Sequence, residues 1–173
     1  MLASGGVEMG QAQQASELSY KAIQEYAERI GTTHGIYDQS GGAKLGNLVS
    51  ALGGHIEYVD SDESLLVTGK HNFVIYLPTR TSQRRDQFTL AHELGHYFLH
   101  YLQLDKTEEC VFKRGGQSQL ETQANFFAAS LLMPEEAFKR QFELLGPSYS
   151  QIAHLFGVSP AAAEVRAEVL GLK

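Results

Sequence analysis

Between His55 and Pro78 the chain reads as strands, and beyond Pro78 every long apolar run has the spacing of a helix. The runs "HIEYVD", "SLLVTG" and "NFVIYLP" are short and rich in β-branched and aromatic residues. Connectors as short as "SDE" and "GKHN" suit hairpins, so the spacing predicts a three-stranded antiparallel sheet. Pro78 ends the third run, which suits an edge position. Ahead of the strands, Leu18, Ala22, Ile23, Tyr26, Ala27 and Ile30 mark an amphipathic helix over about 17–30, and a short one follows near 44–52. After them come a long helix over 82–102, one from Ser118 stopped before Pro134, one from Pro134 to Gly146, and a pair within 148–173. The charged stretch 103–117 reads as a loop. Helices, a block of strands, then only helices make the fold class α+β.

The 173 residues suffice for one well-buried domain, expected over 17–173 behind a flexible lead-in at 1–16, with the helical pair 148–173 packed on it. A net charge of −6 argues against a large nucleic-acid footprint, since phosphate binding needs concentrated positive charge. Cys110 is alone, so no intrachain disulfide can form, which fits a reducing, cytoplasmic setting. No window of 18 apolar residues occurs and the start lacks a basic-then-apolar leader, so neither membrane insertion nor secretion is expected.

The long helix carries "TLAHELGHYFLH". His92 and His96 are four apart, so their rings leave nearly one face, about 6 Å apart along the axis. Two imidazoles so placed can close on one zinc. Glu93 lies about 100° round the helix, beside the metal, where it can take a proton from water. His100 stands about 12 Å of rise from His92, too far for the same ion, and suits an outer partner instead. Leu99 and Leu102 stand where a metzincin has Gly and His, which excludes that class. A third ligand must come from elsewhere. Glu108 and Glu109 sit in the charged loop, Glu135 and Glu136 suit a first helical turn, and Cys110 reads as an ordinary thiol. Glu121 stands out because it opens an apolar helix, with Asn125 on the same face as an outer partner. Ser118 and Glu121 also form a capping-box pattern.

"FTLAHELGHYFLH", "ETQANFFAASLLMP" and "IAHLFGVSPAAAEVRAEVLGL" together resemble the ImmA/IrrE family of zinc metallopeptidases, most strongly from Asn72 to Pro134. The resemblance implies a zincin-like fold, a small sheet packed on the active-site helix. It implies zinc, with manganese as the other metal to consider, on His92, His96 and Glu121, and Glu93 as the catalytic acid and base. It also implies a substrate, a helix-turn-helix transcriptional repressor whose cleavage relieves repression in a prophage, mobile element or stress response. The short phage or mobile-element form is expected. An extended peptide would then pair with the strand Asn72, Phe73, Val74, Ile75, Tyr76, and the oxyanion would be met by Tyr149, His154, Tyr97 or Arg80.

Two other functions fit parts of the sequence. One is a metal-binding regulator or toxin–antitoxin component that acts by protein binding alone. The other is DNA binding through the helix-turn-helix-like tail "YSQIAHLFGVSPAAAEVRAEVLG", whose second helix is poor in base-reading and phosphate-binding side chains and reads rather as a packing pair.

Overall fold

A computed structural model describes residues 13–116 and 118–173. Helix α1 (Tyr20–Thr33) starts where the Ser19 side chain accepts from the Ala22 N–H, and it buries Ile23, Ala27 and Ile30. Helix α2 (Gly46–Ala51) leads into strands β1 (Gly54–Tyr58), β2 (Glu63–Gly69) and β3 (Asn72–Leu77). Helix α3 (Gln83–Tyr97), capped by Ser82 on the Arg85 N–H, continues as one π-helical turn, Phe98–Leu102. Strand β4 (Cys110–Lys113), α4 (Gln119–Leu132), α5 (Glu135–Leu145), α6 (Tyr149–Phe156) and α7 (Pro160–Val169) complete the chain. The α+β class is as the sequence indicates.

The sheet departs from the expected meander. It has four strands in the order β1-β3-β2-β4, with β1 parallel to β3 and the other pairs antiparallel. Burial explains the order. Strand β3 buries Phe73, Ile75 and Leu77 and half-buries Val74 and Tyr76, so it takes an interior place, while β1 is largely exposed and takes an edge. Strands β2 and β3 form the one hairpin, and Val59–Asp62 steps past β3 to reach β2. Pro78 falls just outside the ladder and costs it no hydrogen bond. Strand β4 arises from the stretch read as a loop; it covers the flank of β2 and becomes the second edge.

Leu65, Val67, Phe73, Ile75 and Leu77 meet Leu90, Ala91, Leu94 and Tyr97 of α3 in one buried cluster that extends to Ala163 and Ala167 of α7. Helices α3 and α4 pack so closely that a Cβ on Gly95 would lie 3.0 Å from the Ala124 Cα and 3.1 Å from its carbonyl oxygen. Glycine at that position brings α4 over the middle of α3. The C-terminal pair packs against the rest through Arg166, fully buried, whose Nε donates to the Met133 carbonyl at 3.0 Å. Of the lead-in 1–16, residues 1–12 lie outside the described residues. Ser16 is not free: it is buried and bonded through its backbone to Gln123. Among the described residues, no helix is long and apolar enough to cross a membrane.

Candidate metal centre

Three side chains converge where α3 passes the first turn of α4. His92 Nε2 lies 3.0 Å from one Glu121 carboxylate oxygen and His96 Nε2 lies 3.0 Å from the other. One donor atom from each of the three falls within 4.8 Å of the rest. Ligands held at about 2.1 Å in a tetrahedron have edges of about 3.4 Å, so around one ion the two 3.0 Å contacts would open slightly and the widest spacing would close by up to about 1.4 Å. Glu121 reaches the histidines because it leaves the cap: Ser118 is the N-cap residue but makes no side-chain cap bond, so the capping-box expectation gives way.

Each histidine is held from behind. His92 Nδ1 meets Asn125 Oδ1 at 2.7 Å, and His96 Nδ1 meets His100 Nδ1 at 2.8 Å. Both backs are engaged, so both Nε2 atoms point inward, the arrangement in which outer partners orient metal-binding rings. The π-helical turn carries His100 behind His96 and not into the donor set. On the other side Phe112 of β4 stacks on the His96 ring, centroids 4.7 Å apart.

The electrostatics are those of a cation site. Burial alone would raise the Glu121 carboxyl, but hydrogen bonds and charge from His92 and His96 hold it at about 2. Burial would lower His92; the Glu121 bond and the charges of Glu93 and Glu121 outweigh it and raise the ring. Glu93 is buried and, among the described residues, its Oε2 has no hydrogen-bond partner. Burial pushes its carboxyl up against the opposing pull of His96, His92 and the Ser64 hydroxyl. An orphaned buried carboxylate oxygen is costly unless it has work to do. Two imidazoles, a carboxylate ligand, held ring backs and a poised carboxyl beside them fit a divalent transition metal.

The other expected site residues fall elsewhere. Strand β3 is paired on both sides, so Asn72, Phe73, Val74, Ile75 and Tyr76 cannot receive a substrate strand; the edge near the site is β4. Tyr97 is buried and its hydroxyl accepts from the His71 N–H. Arg80 is exposed in the loop before α3. His154 lines a separate cleft with Asp38, Lys44 and Arg84, and Tyr149 packs at the start of α6. None of these four hydrogen-bonds to the triad or Glu93. Arg166, the main cation of the helix-turn-helix-like tail, is buried and unavailable to phosphate. Gln123, Ser64, Phe112 and Gly95 all serve the site, yet none carries a spacing signal. His100 alone among the outer partners of His96 did, by standing four residues beyond it.

Residues 55–168 match the family of peptidases described as the IrrE N-terminal-like domain. A stretch of 90 residues is 33% identical to Metallopeptidase ImmA of Bacillus subtilis (strain 168), covering 51% of this chain and 52% of that protein. The match thus spans about half the length of that relative.

Proposed function

This chain belongs to the IrrE N-terminal-like metallopeptidase family, and we propose that it is a zinc-dependent endopeptidase that cuts a helix-turn-helix transcriptional repressor. The observation that carries the enzymatic part is the convergence of His92 Nε2, His96 Nε2 and Glu121 beside the partnerless Glu93 Oε2. His92, His96 and Glu121 would hold the ion. Bound there, zinc acidifies water and polarises a peptide carbonyl. Glu93 takes the water proton on its free oxygen as the water attacks, and its burial favours the protonated form that follows. It then returns that proton to the leaving amine nitrogen. Phe112 covers one face of the His96 ring, and His100 holds it from behind.

Substrate reaches this centre along β4. That strand is an edge of the sheet and contributes Phe112 to the site, so an extended segment can add to it by main-chain pairing once the Gln13 side chain leaves the Val111 carbonyl. The repressor as substrate rests on the family resemblance of the quoted motifs. It is tested by incubating the zinc-loaded chain with a helix-turn-helix repressor, sought first in the reading frames beside its gene. Two fragments whose masses sum to that of the intact repressor plus one water support the reading. A repressor that is bound and inactivated but stays intact would make the chain a binding regulator instead.

A further inference from the structure

A line of buried polar groups runs back from His96 of the centre into the core. His96, His100, Gln123 and Ser16 form a continuous hydrogen-bonded file, and all four are buried. The Ser16 N–H meets Gln123 Oε1 at 3.0 Å, and Gln123 Nε2 meets the Ser16 carbonyl at 2.8 Å. His100 Nε2 meets the same Gln123 Oε1 at 2.9 Å, and His100 Nδ1 meets His96 Nδ1 at 2.8 Å.

The direction of every bond follows from one fixed point. A backbone N–H can only donate and a carbonyl can only accept. Ser16 offers one of each to the two ends of a single amide, so Gln123 can sit only with its oxygen toward the N–H. Turning the amide over would set donor against donor at the Ser16 N–H and acceptor against acceptor at its carbonyl, in a buried place where each orphaned group costs about 1–3 kcal/mol. Gln123 Oε1 therefore also accepts from His100, which must carry its proton on Nε2. A neutral imidazole has one N–H, so His100 Nδ1 is a lone pair. The facing His96 Nδ1 must then be the donor. His96 is left with Nε2 turned to Glu121 and unable to exchange roles with Nδ1.

We propose that Gln123 is a positioning residue for the metal centre: it transmits the fixed polarity of the Ser16 backbone through His100 and so sets the tautomer in which His96 presents Nε2. This deepens the metallopeptidase reading and rests on it. The chain ahead of α1 thereby belongs to the site. The two histidines are also held unequally. Among the described residues the Asn125 amide, which backs His92, makes no backbone hydrogen bond, whereas the support of His96 ends in the main chain.

The test uses the full chain, uniformly labelled with nitrogen-15 and loaded with zinc. Long-range proton–nitrogen correlations of the imidazoles are expected to show His100 as the Nε2–H tautomer and His96 with its proton on Nδ1. A proton on His100 Nδ1 would overturn the proposal. Zinc affinity by chelator competition supplies the second readout. Gln123→Leu, which removes the acceptor, is expected to weaken zinc about 10–100-fold. Gln123→Glu sets a carboxylate oxygen against the Ser16 carbonyl where Nε2 donated and should also lose zinc affinity. Ser16→Ala keeps the backbone bonds and should stay near wild type. Wild-type zinc affinity in Gln123→Leu, or losses in the leucine and glutamate variants that merely track their melting temperatures, would refute it. Should the leucine variant not fold, the wild-type tautomers decide alone. A chain that binds no zinc defeats the metallopeptidase reading; one that binds zinc with the opposite tautomers defeats only the relay.

Discussion

At the scale of single residues, the site divides into atoms that would touch the ion and atoms that aim them. Glu121 bridges the two Nε2 atoms, so its loss removes both a ligand and the charge that draws a cation in. Glu121→Ala is expected to cost more in zinc affinity than the roughly 10–100-fold of losing an outer partner, as read by chelator competition. Asn125→Ala should fall within that range, because His92 keeps its ligand atom and loses only the contact at its back. An Asn125 variant weaker than Glu121→Ala would reverse the assigned roles. Helix spacing in the sequence singles out His92, His96 and Glu93. Their third partner needs the α4 motif as well, since nothing local says that Glu121 leaves its cap. Gln123 was illegible for a plain reason. Its function depends on a backbone pair at Ser16, over a hundred residues away in the chain.

Among the secondary-structure elements, the approach of α4 to α3 decides whether the ligand set closes. Gly95 permits it, and its neighbours there are the backbone of Ala124 and the Cβ of Phe127, which cannot swing aside. Gly95→Ala gains about 1 kcal/mol of helix propensity but meets overpacking of about 1–3 kcal/mol. Stability should therefore change little or fall modestly. Zinc affinity should drop by at least about tenfold as Glu121 is pushed off the histidines. Denaturant unfolding with a zinc titration checks both, and unchanged affinity would mean that the helix spacing has slack. The long helices were legible from periodicity, and the sheet was legible as strands but not in its order. The run "NFVIYLP" looked like an edge because of its proline, yet its apolar weight put it inside. Strand β4 has four residues between an acidic pair and a glycine pair, too few to show a period. It forms because the flank of β2 needs a partner.

For the whole molecule, one apolar cluster runs from α1 to α7, and Arg166 is its odd member. Its Nε is bonded, its terminal nitrogens have no hydrogen-bond partner among the described residues, and Glu28 stands 3.8 Å away. Arg166→Ala is expected to destabilise the chain by about 3–5 kcal/mol, while Arg166→Met, of similar volume, should recover most of that loss. Neither should alter zinc affinity, because α7 contributes no atom to the triad. Urea unfolding followed by zinc titration measures both. Tight, salt-sensitive DNA binding lost on Arg166→Ala would contradict its assignment to the core. The α+β class was legible because a block of strands followed by helices leaves few arrangements. The second helix of the C-terminal pair lacks the charges that DNA demands, and it buries Ala163, Arg166 and Ala167.

The family, the triad and the poised Glu93 come together in one comparison: zinc content and repressor cleavage measured side by side for the wild-type chain and Glu93→Gln. The expected result is that both hold stoichiometric zinc, that the wild type cuts the repressor, and that the variant is slower by about 10²–10⁴-fold. A Glu93→Gln chain that cuts at the wild-type rate, or a wild-type chain that binds no zinc, would contradict the assignment of this centre.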